Sequence, residues 1–205
     1  TLGGEPVGTV PVTEFARNVA YAGAAQGLVT WAHAAPSVFA DSTFWGNQGG
    51  LFMFETAGAT VRNVQVAGAG RASTTGVQFY SSHSLMFDHM DVRGFDVGIL
   101  LPPGESAVMN SQLANMVDLV IERTISARVP RTVILQDNEF LPVTMPPGRQ
   151  RWRLFYQPQH AGFTDTPGAS PQLKKILDRD PAAVDVIILD GKRVYRTEQA
   201  ANYVP

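Results

Sequence analysis

The sequence predicts an all-β solenoid, a chain wound into stacked coils, and three observations point to it. Of the 205 residues, 44% are hydrophobic and only 17% are charged, and the chain contains 19 glycines and 14 prolines. This weakly charged, turn-rich composition is typical of β-proteins rather than of helical bundles. The other two observations are an internal repeat and a glycine-containing mark that follows most of its copies.

Six segments share a pattern in which a polar residue is followed three positions later by an apolar residue and, in most copies, by glycine two positions after that. The segments begin at Asn18, Asp41, Asn63, His89, Asn110 and Asp137. The intervals between them are 23, 22, 26, 21 and 27 residues. One such copy cannot bury its apolar face alone, whereas stacked copies can, so the repeat predicts coils that pack on one another.

The glycine mark defines a second strand in each coil. The first five copies are followed by the pairs Gly27-Leu28, Gly50-Leu51, Gly76-Val77, Gly98-Ile99 and Asp118-Leu119, of which the last replaces glycine with aspartate. Short apolar runs such as L-V-T-W, L-F-M-F and V-Q-F-Y come directly after. We therefore expect two short strands in each coil, separated by turns.

The first residue of each copy is expected to form a ladder at a tight turn between strands. Asparagine suits such a turn because it tolerates the left-handed conformation and its amide can bond its copies in adjacent coils. We therefore expect these side chains to point inward, with Asn18, Asn63 and Asn110 above one another. His89 is interpreted as a substituted ladder position rather than a catalytic residue.

The pattern resembles the right-handed parallel β-helix superfamily, the pectate-lyase-like group, over residues 15–140. The resemblance implies a right-handed parallel β-helix of about six coils within a domain of residues 1–145. The superfamily includes lyases, hydrolases, epimerases, tail-spike adhesins and non-catalytic modules, so the resemblance implies no single activity.

A C-terminal capping extension is predicted for residues 146–205. It follows the break M-P-P-G-R-Q that starts at Met145. Residues 170–178 are expected to form a short helix with Ser170 as its N-cap, and residues 184–197 to form a β-hairpin across Asp190-Gly191. Such an extension would cover the apolar end of the last coil.

Strand alternation assigns the side chains to faces. Val64, Val66, Met90 and Val92 are expected to point inward. The candidate ligand-binding residues on one outer face are Trp45, Arg62, Gln65, Asp91, Arg93 and Gln112. A second outer face carries the aromatic residues Trp31, Phe54 and Tyr80, which form either an alternative ligand face or a surface covered by the C-terminal extension or a partner domain.

Three functions remain open at this point. The favoured one is a non-catalytic, polysaccharide-binding module of a larger extracellular protein secreted by a bacterium, with a polysaccharide and other domains of the same chain as partners. An alternative is a polysaccharide lyase or glycoside hydrolase that would use Asp88, Asp91, Arg93 and Glu139. A third is a structural or self-association module.

Composition excludes several other classes. The chain has no cysteine, a net charge of −2 and no basic block, so thiol chemistry, nucleic acids and anionic membranes are not expected as functions or partners. No apolar run of membrane-spanning length and no signal peptide is visible. The four histidines lack metal-ligand spacing, so no metal site or cofactor is expected, except for a Ca²⁺ ion if the chain is a lyase.

Overall fold

The computed structural model describes residues 7–69, 74–80, 82–101, 105–123, 132–149, 151–158, 186–189 and 192–195. These residues form a parallel β-solenoid of about five turns. The one helical element among them is a 3₁₀ turn at Val7–Thr9, and no helix in these ranges is long and apolar enough to span a bilayer.

The solenoid consists of six rungs, each with three consecutive strands. The first three rungs are β1 (Phe15–Ala16), β2 (Val19–Tyr21), β3 (Gln26–Trp31); β4 (Ser37–Ala40), β5 (Thr43–Asn47), β6 (Gly49–Phe54); and β7 (Ala59–Arg62), β8 (Gln65–Gly68), β9 (Thr75–Tyr80). The next three are β10 (Met86–Asp88), β11 (Asp91–Arg93), β12 (Val97–Leu101); β13 (Glu105–Met109), β14 (Gln112–Ala114), β15 (Val117–Arg123); and β16 (Thr132–Gln136), β17 (Glu139–Phe140), β18 (Trp152–Pro158).

Each strand pairs in parallel with its counterparts in the adjacent rungs, which gives three sheets. Sheet 1 starts with β1, β4 and β7, sheet 2 with β2, β5 and β8, and sheet 3 with β3, β6 and β9. The predicted all-β parallel solenoid of about six coils is thus confirmed, since its six rungs make about five turns. The repeat located sheets 2 and 3 but missed sheet 1, because its strands carry no recurring mark.

The core lies between the three sheets and is filled by alternate residues of each strand. Val64, Val66, Met90 and Val92 point inward as predicted and are almost completely buried. They belong to a continuous cluster that includes Phe44 and other large apolar side chains of every sheet. Burial of each large apolar side chain contributes about 1.5–3 kcal/mol, so the stacked core is the main source of stability.

The glycine mark reflects a close approach between rungs. A Cβ atom on Gly76 would lie 2.7 Å from the carbonyl oxygen of Gly98 and 2.7 Å from a methyl group of Val92. On Gly98 it would lie 2.5 Å from the carbonyl oxygen of Asp118. Any side chain carbon at these positions would therefore force neighbouring backbone apart.

The turn ladder differs from its prediction in one respect. Asp41, Asn63, His89, Asn110 and Asp137 all have the expected left-handed backbone, with φ between 50° and 52°. Their side chains, however, are exposed rather than inward. The left-handed residue bends the chain at the corner between sheets 1 and 2, so its own side chain points to solvent and the following residue turns inward.

In some rungs that following residue is a buried serine that links two rungs, whereas Val64 and Met90 at the same position belong to the apolar core. The hydroxyl of Ser42 accepts a hydrogen bond from the amide of Asn18 in the preceding rung at 3.1 Å and donates to the carbonyl of Ala40 at 2.7 Å. Ser111 likewise accepts from the amide of Met90 at 3.0 Å. The serines one position after the predicted ladder therefore link their rungs to the preceding ones.

The first rung is offset by one residue from the repeat. Arg17, with φ of 60°, occupies the corner position, and Asn18 follows it. The register pairs Ala16 with Ala40 and Val19 with Thr43. Asn63 and Asn110 thus share the corner column as predicted, whereas Asn18 does not, because the left-handed residue of this rung is an arginine that the polar pattern did not identify.

Beyond residue 145, the described strands continue the solenoid sheets. β18 pairs with β15 in sheet 3, and β19 (Val186–Leu189) pairs in parallel with β16 in sheet 1. β20 (Lys192–Tyr195) lies antiparallel to β19, within the range of the predicted hairpin. The helix predicted for residues 170–178 lies outside the described residues.

Candidate functional site

The outer face of sheet 2 carries two parallel columns of side chains. The first column contains Val19, Thr43, Gln65, Asp91, Gln112 and Glu139. The second contains Tyr21, Trp45, Ala67, Arg93 and Ala114. Both columns have the predicted composition from the second rung onward. In the first rung, counting from Asn18 by the repeat would place Ala20 and Ala22 in the two columns, but the one-residue offset places Val19 and Tyr21 there instead.

Tyr21 and Trp45 form an exposed aromatic pair at the N-terminal end of the second column. Their rings are stacked, with centroids 5.4 Å apart and an angle of 15° between the planes. Because the two residues lie on adjacent strands, the ring planes are stacked along the solenoid axis. One face of Trp45 is therefore covered by Tyr21, and the opposite face is directed toward the third rung.

The third rung has Ala67 at this position, and among the described residues its methyl group is too small to cover the ring face of Trp45, which is 50% exposed. The next residue in the column is Arg93, two strands from Trp45, or about 9.6 Å at the usual strand spacing. We call the space above Ala67, between Trp45 and Arg93, the Ala67 slot. Gln65 lies beside it in the first column and is also exposed.

Hydrogen bonds hold Arg93 in position at the far side of the slot. Its Nε donates to Oδ1 of Asp91, and its Nη2 donates to Oε1 of Gln112 at 2.9 Å. Gln112 in turn donates through Nε2 to Oε2 of Glu139 at 2.9 Å. The guanidinium is thus a pre-oriented donor group that has further N–H groups beyond those that make these two bonds.

The same chain of bonds connects the two carboxylates that an inverting hydrolase would need. Asp91 and Glu139 are two rungs apart, and Arg93 and Gln112 bridge them. In inverting enzymes, the space between the carboxyl groups holds a water molecule and the scissile bond. Here that space contains protein side chains bonded to both carboxylates.

Asp88 lies on the other side of the corner and has different partners. Its Oδ1 accepts from Nδ2 of Asn110 at 2.8 Å and from Nδ1 of His89 at 2.9 Å. The bond from Asn110 is the largest effect on the pKa of Asp88 and lowers it; burial opposes this effect, and the bonds and charge of His89 lower the pKa further, so that it lies below its ordinary value. Arg62 is exposed on the adjacent strand in register with Asp88. Asp88 and His89 therefore belong to the surface ladder, away from the Asp91–Arg93 pair.

The second aromatic face is a continuous stack on sheet 3. Trp31 stacks on Phe54 with centroids 4.1 Å apart, and Phe54 stacks on Tyr80 at 5.0 Å. Both faces of Phe54 are thus covered by its neighbours. Only the outer faces of Trp31 and Tyr80 remain for a ligand ring, and both residues are exposed among the described residues. The described strands of the C-terminal extension continue sheets 1 and 3 beyond the fifth rung, and the rest of the extension lies outside the described residues, so the predicted cover of this face stays a prediction.

Two features of the site were missed by the sequence pattern. Tyr21 was missed because of the offset in the first rung, and a correct alignment of Arg17 with Asp41 would have identified it. The role of Ala67 was missed because an alanine carries no chemical signal of its own. Its importance arises only from the larger side chains of Trp45 and Arg93 in the same column.

Within the described ranges, no group of three or more His, Asp or Glu residues is placed to hold a metal ion. His33 is buried, and its Nε2 lies 2.6 Å from the hydroxyl of Ser37, which also accepts from the amide of Val12. The bond from Val12 to Ser37 holds the N-terminal segment against the second rung.

Comparisons with known proteins found no matching family model, no matching curated protein and no matching solved structure.

Proposed function

We propose that the chain is a non-catalytic carbohydrate-binding module and that the Ala67 slot binds one sugar ring of a polysaccharide. The observation that carries this proposal is the Trp45 ring, which has Tyr21 on one face and open space above Ala67 on the other. The C–H groups of a sugar ring pack favourably on such a free aromatic face.

The spacing of the rungs suits this mode of binding. A ring stacked about 4.5–5 Å from Trp45 would lie in the third rung, directly over Ala67, since strands are about 4.8 Å apart. Its far side would then face Arg93, and its edge would face Gln65. The guanidinium and the amide are donors and acceptors of the kind that bind sugar hydroxyls.

We expect the binding to be weak. One stacked ring and a few hydrogen bonds bury little surface, and a flexible glycan loses conformational entropy when it is ordered. An affinity no better than about micromolar follows. Such a module would act as part of a larger extracellular protein, and the support for that context is the resemblance of the repeat to the pectate-lyase-like group.

The bridged carboxylates support binding over cleavage. Arg93 and Gln112 occupy the space between Asp91 and Glu139, and each carboxylate already accepts a hydrogen bond. A lyase or hydrolase that used Asp88, Asp91, Arg93 and Glu139 would have to break these bonds before binding its substrate. That alternative predicts a product, which makes it directly testable.

An array of plant and bacterial polysaccharides, measured for both retention and product, tests the proposal. We expect retention of at least one polysaccharide without release of reducing ends or unsaturated uronates. Trp45→Ala should abolish retention, whereas Asp91→Asn, which keeps the acceptor for Arg93, should change it little. The matched aromatic control is Tyr80→Ala on sheet 3, which should retain the ligand.

Three results would contradict the proposal. The first is no retention of any polysaccharide. The second is a product whose release is abolished by Asp91→Asn or Glu139→Gln, which would indicate catalysis. The third is retention that survives Trp45→Ala but is lost on removal of Trp31 or Tyr80, which would assign the ligand to the second aromatic face.

A further inference from the structure

The positive charge that faces the Ala67 slot is already paired within the protein. Arg93 forms an ion pair with Asp91 through Nε, and its Nη2 donates to Gln112. A guanidinium usually holds a ligand carboxylate by two parallel hydrogen bonds from neighbouring nitrogens. In Arg93, two of its nitrogens are divided between two protein acceptors. A ligand carboxylate would therefore compete with Asp91 for the charge of Arg93.

Glu139 adds a second negative charge to the same hydrogen-bonded chain of side chains. It accepts a bond from the amide of Gln112 at 2.9 Å, and this donor is neutral. Among the described residues, no ion pair involves Glu139. The chain that runs from Asp91 through Arg93 and Gln112 to Glu139 thus contains one cation and two carboxylates. The outer face of sheet 2 beyond the slot is therefore negatively charged.

The corner between sheets 1 and 2 adds further negative charge beside the slot. Three carboxylates lie along it, and each accepts a bond from a neutral amide: Asp41 from Asn63, Asp88 from Asn110 and Asp137 from Gln136. The exposed cation Arg62, in register with Asp88, offsets one of these charges. Corner residues lie two positions before the first column, no more than about 7 Å from it, so their charges are only partly screened at physiological salt.

Sugar hydroxyls and uronate carboxylates interact differently with such a surface. A hydroxyl can donate to Asp91 or Glu139 and can accept from Arg93. A uronate carboxylate can only accept, so it gains a bond from Arg93 but is repelled by both protein carboxylates. A polyuronate repeats this repulsion at every residue of the polymer that lies near the face.

We propose that the Ala67 slot selects uncharged polysaccharides and rejects polyuronates, an inference that rests on the sugar-binding function proposed above. Asp91 and Glu139 are the residues that determine this selectivity. They provide acceptors for the hydroxyls of a neutral sugar and repel an acidic one. Binding of a uronate at Arg93 would require the guanidinium to share the charge that now pairs with Asp91.

Matched pairs of polysaccharides that differ in charge test this selectivity. The probes are hydroxyethyl cellulose against carboxymethyl cellulose, and fully methyl-esterified homogalacturonan against its free acid. Any other neutral polysaccharide that the wild type retains is paired with its derivative oxidised to carboxylate at the primary hydroxyl. Affinity electrophoresis of the full chain at pH 7 and low salt should show the uncharged member bound more than about tenfold tighter. Raising NaCl to about 500 mM should narrow this difference, because salt screens the repulsion.

The double variant Asp91→Asn/Glu139→Gln removes both charges and keeps an oxygen acceptor for Arg93 and for Gln112. Binding of the charged member should then rise at least about tenfold, and added salt should now weaken it, since attraction to Arg93 dominates. Each single variant should show part of this gain, which keeps the test valid if the double variant does not fold.

The matched control is Glu55→Gln/Glu105→Gln, which removes two exposed carboxylates outside sheet 2, one after β6 and one at the start of β13. It should discriminate between the two members as the wild type does. Equal or tighter binding of the charged member by the wild type would overturn the selectivity but leave sugar binding intact. An equal gain in the control variant would do the same, whereas no retention of any polysaccharide would overturn both proposals.

Discussion

Nη2 of Arg151 lies 2.6 Å from Oδ2 of Asp118, a carboxylate that is completely buried. Asp118 is in register with Gly98 and so occupies the column that holds glycine in the preceding rungs. Its other oxygen accepts from the amide of Asn115 at 2.8 Å, and Arg151 also donates to the carbonyl of Leu141. The pair therefore fastens the segment before β18 to the fifth rung.

Arg151→Met should destabilise the protein by about 3–5 kcal/mol at pH 7, because it leaves the carboxylate of Asp118 buried without its partner. Burial already raises the pKa of Asp118 in the folded protein, and Arg151 opposes that effect. Without Arg151 the folded-state pKa rises further above the unfolded value. The folded state then binds more protons than the unfolded state over this interval, so stability increases as the pH falls through it.

Urea denaturation of wild type and variant from pH 7 to pH 4 measures this effect. The difference in unfolding free energy should shrink as the pH is lowered, since a protonated Asp118 is less costly to bury. Leu141→Ala, at a residue that contributes only a backbone carbonyl to Arg151, provides a control without this pH dependence. A difference that is constant, or that grows toward acid pH, would contradict the assignment.

Asn63→Leu should destabilise the fold by about 1–3 kcal/mol. The cost comes from the left-handed backbone and an exposed hydrogen bond rather than from the loss of an inward-pointing amide. The φ of 50° at Asn63 disfavours any residue with a branched or bulky side chain, and the substitution removes the 2.7 Å bond to Asp41. Asn63→Gly loses the bond but fits the backbone, so it should cost much less. Arg93→Ala should stay within about 0.5 kcal/mol. Thermal melts in which Arg93→Ala costs more than Asn63→Leu would reverse the order predicted.

Gly76→Ala should destabilise the protein by about 1–3 kcal/mol, because the added carbon meets the Gly98 carbonyl and a Val92 methyl group at 2.7 Å. Gly148→Ala serves as the control. Its φ is 77°, but no atom lies within 4 Å of the added carbon, so only the backbone preference is lost, at about 1 kcal/mol. Chemical denaturation should thus rank Gly76→Ala as the more costly change, and the opposite ranking would show that the rungs can separate freely.

The pKa of Asp88, followed by NMR titration of its carboxyl carbon, should lie below the ordinary value of about 3.9. Asn110→Ala should raise it, because the amide of Asn110 is the main group that stabilises the charged form. Since the folded pKa is lowered, the stabilisation is present above the unfolded pKa and is lost as the pH falls through the folded pKa. An unchanged pKa in Asn110→Ala would show that the bond does not persist in solution.

The repeat predicted much of this architecture but not all of its details. The residues that share each outward column of sheet 2, from Thr43 onward, were predicted from the spacing of the repeat alone. This worked because one residue of each copy has the same left-handed backbone conformation, and the strands that follow it are too short for their register to shift. The offset at Arg17 was not predictable, since arginine has no preference for the left-handed conformation. The Asp118–Arg151 pair joins residues 33 apart without a local motif, although aspartate in the glycine column was a visible departure from the pattern.

The candidate site was predictable only as a set of outward residues. Strand alternation placed Trp45, Gln65 and Arg93 on one face, as the structure does. It did not indicate which aromatic rings would stack on one another, and stacking decides which ring faces remain free. Strand alternation places both Trp45 and Trp31 on an outer face, but the open faces of their rings are directed toward opposite ends of the solenoid.

The most direct test of the sugar site is the affinity of Ala67→Leu for a polysaccharide that the wild type retains, measured by isothermal titration calorimetry. The larger side chain fills the space above residue 67 without altering Trp45, Gln65 or Arg93, and Ala114→Leu adds the same group on the other side of Arg93. The account predicts that Ala67→Leu weakens binding by more than about tenfold, a loss of about 1.4 kcal/mol, while Ala114→Leu binds like the wild type. Unchanged binding by Ala67→Leu, or an equal loss in both variants, would contradict it.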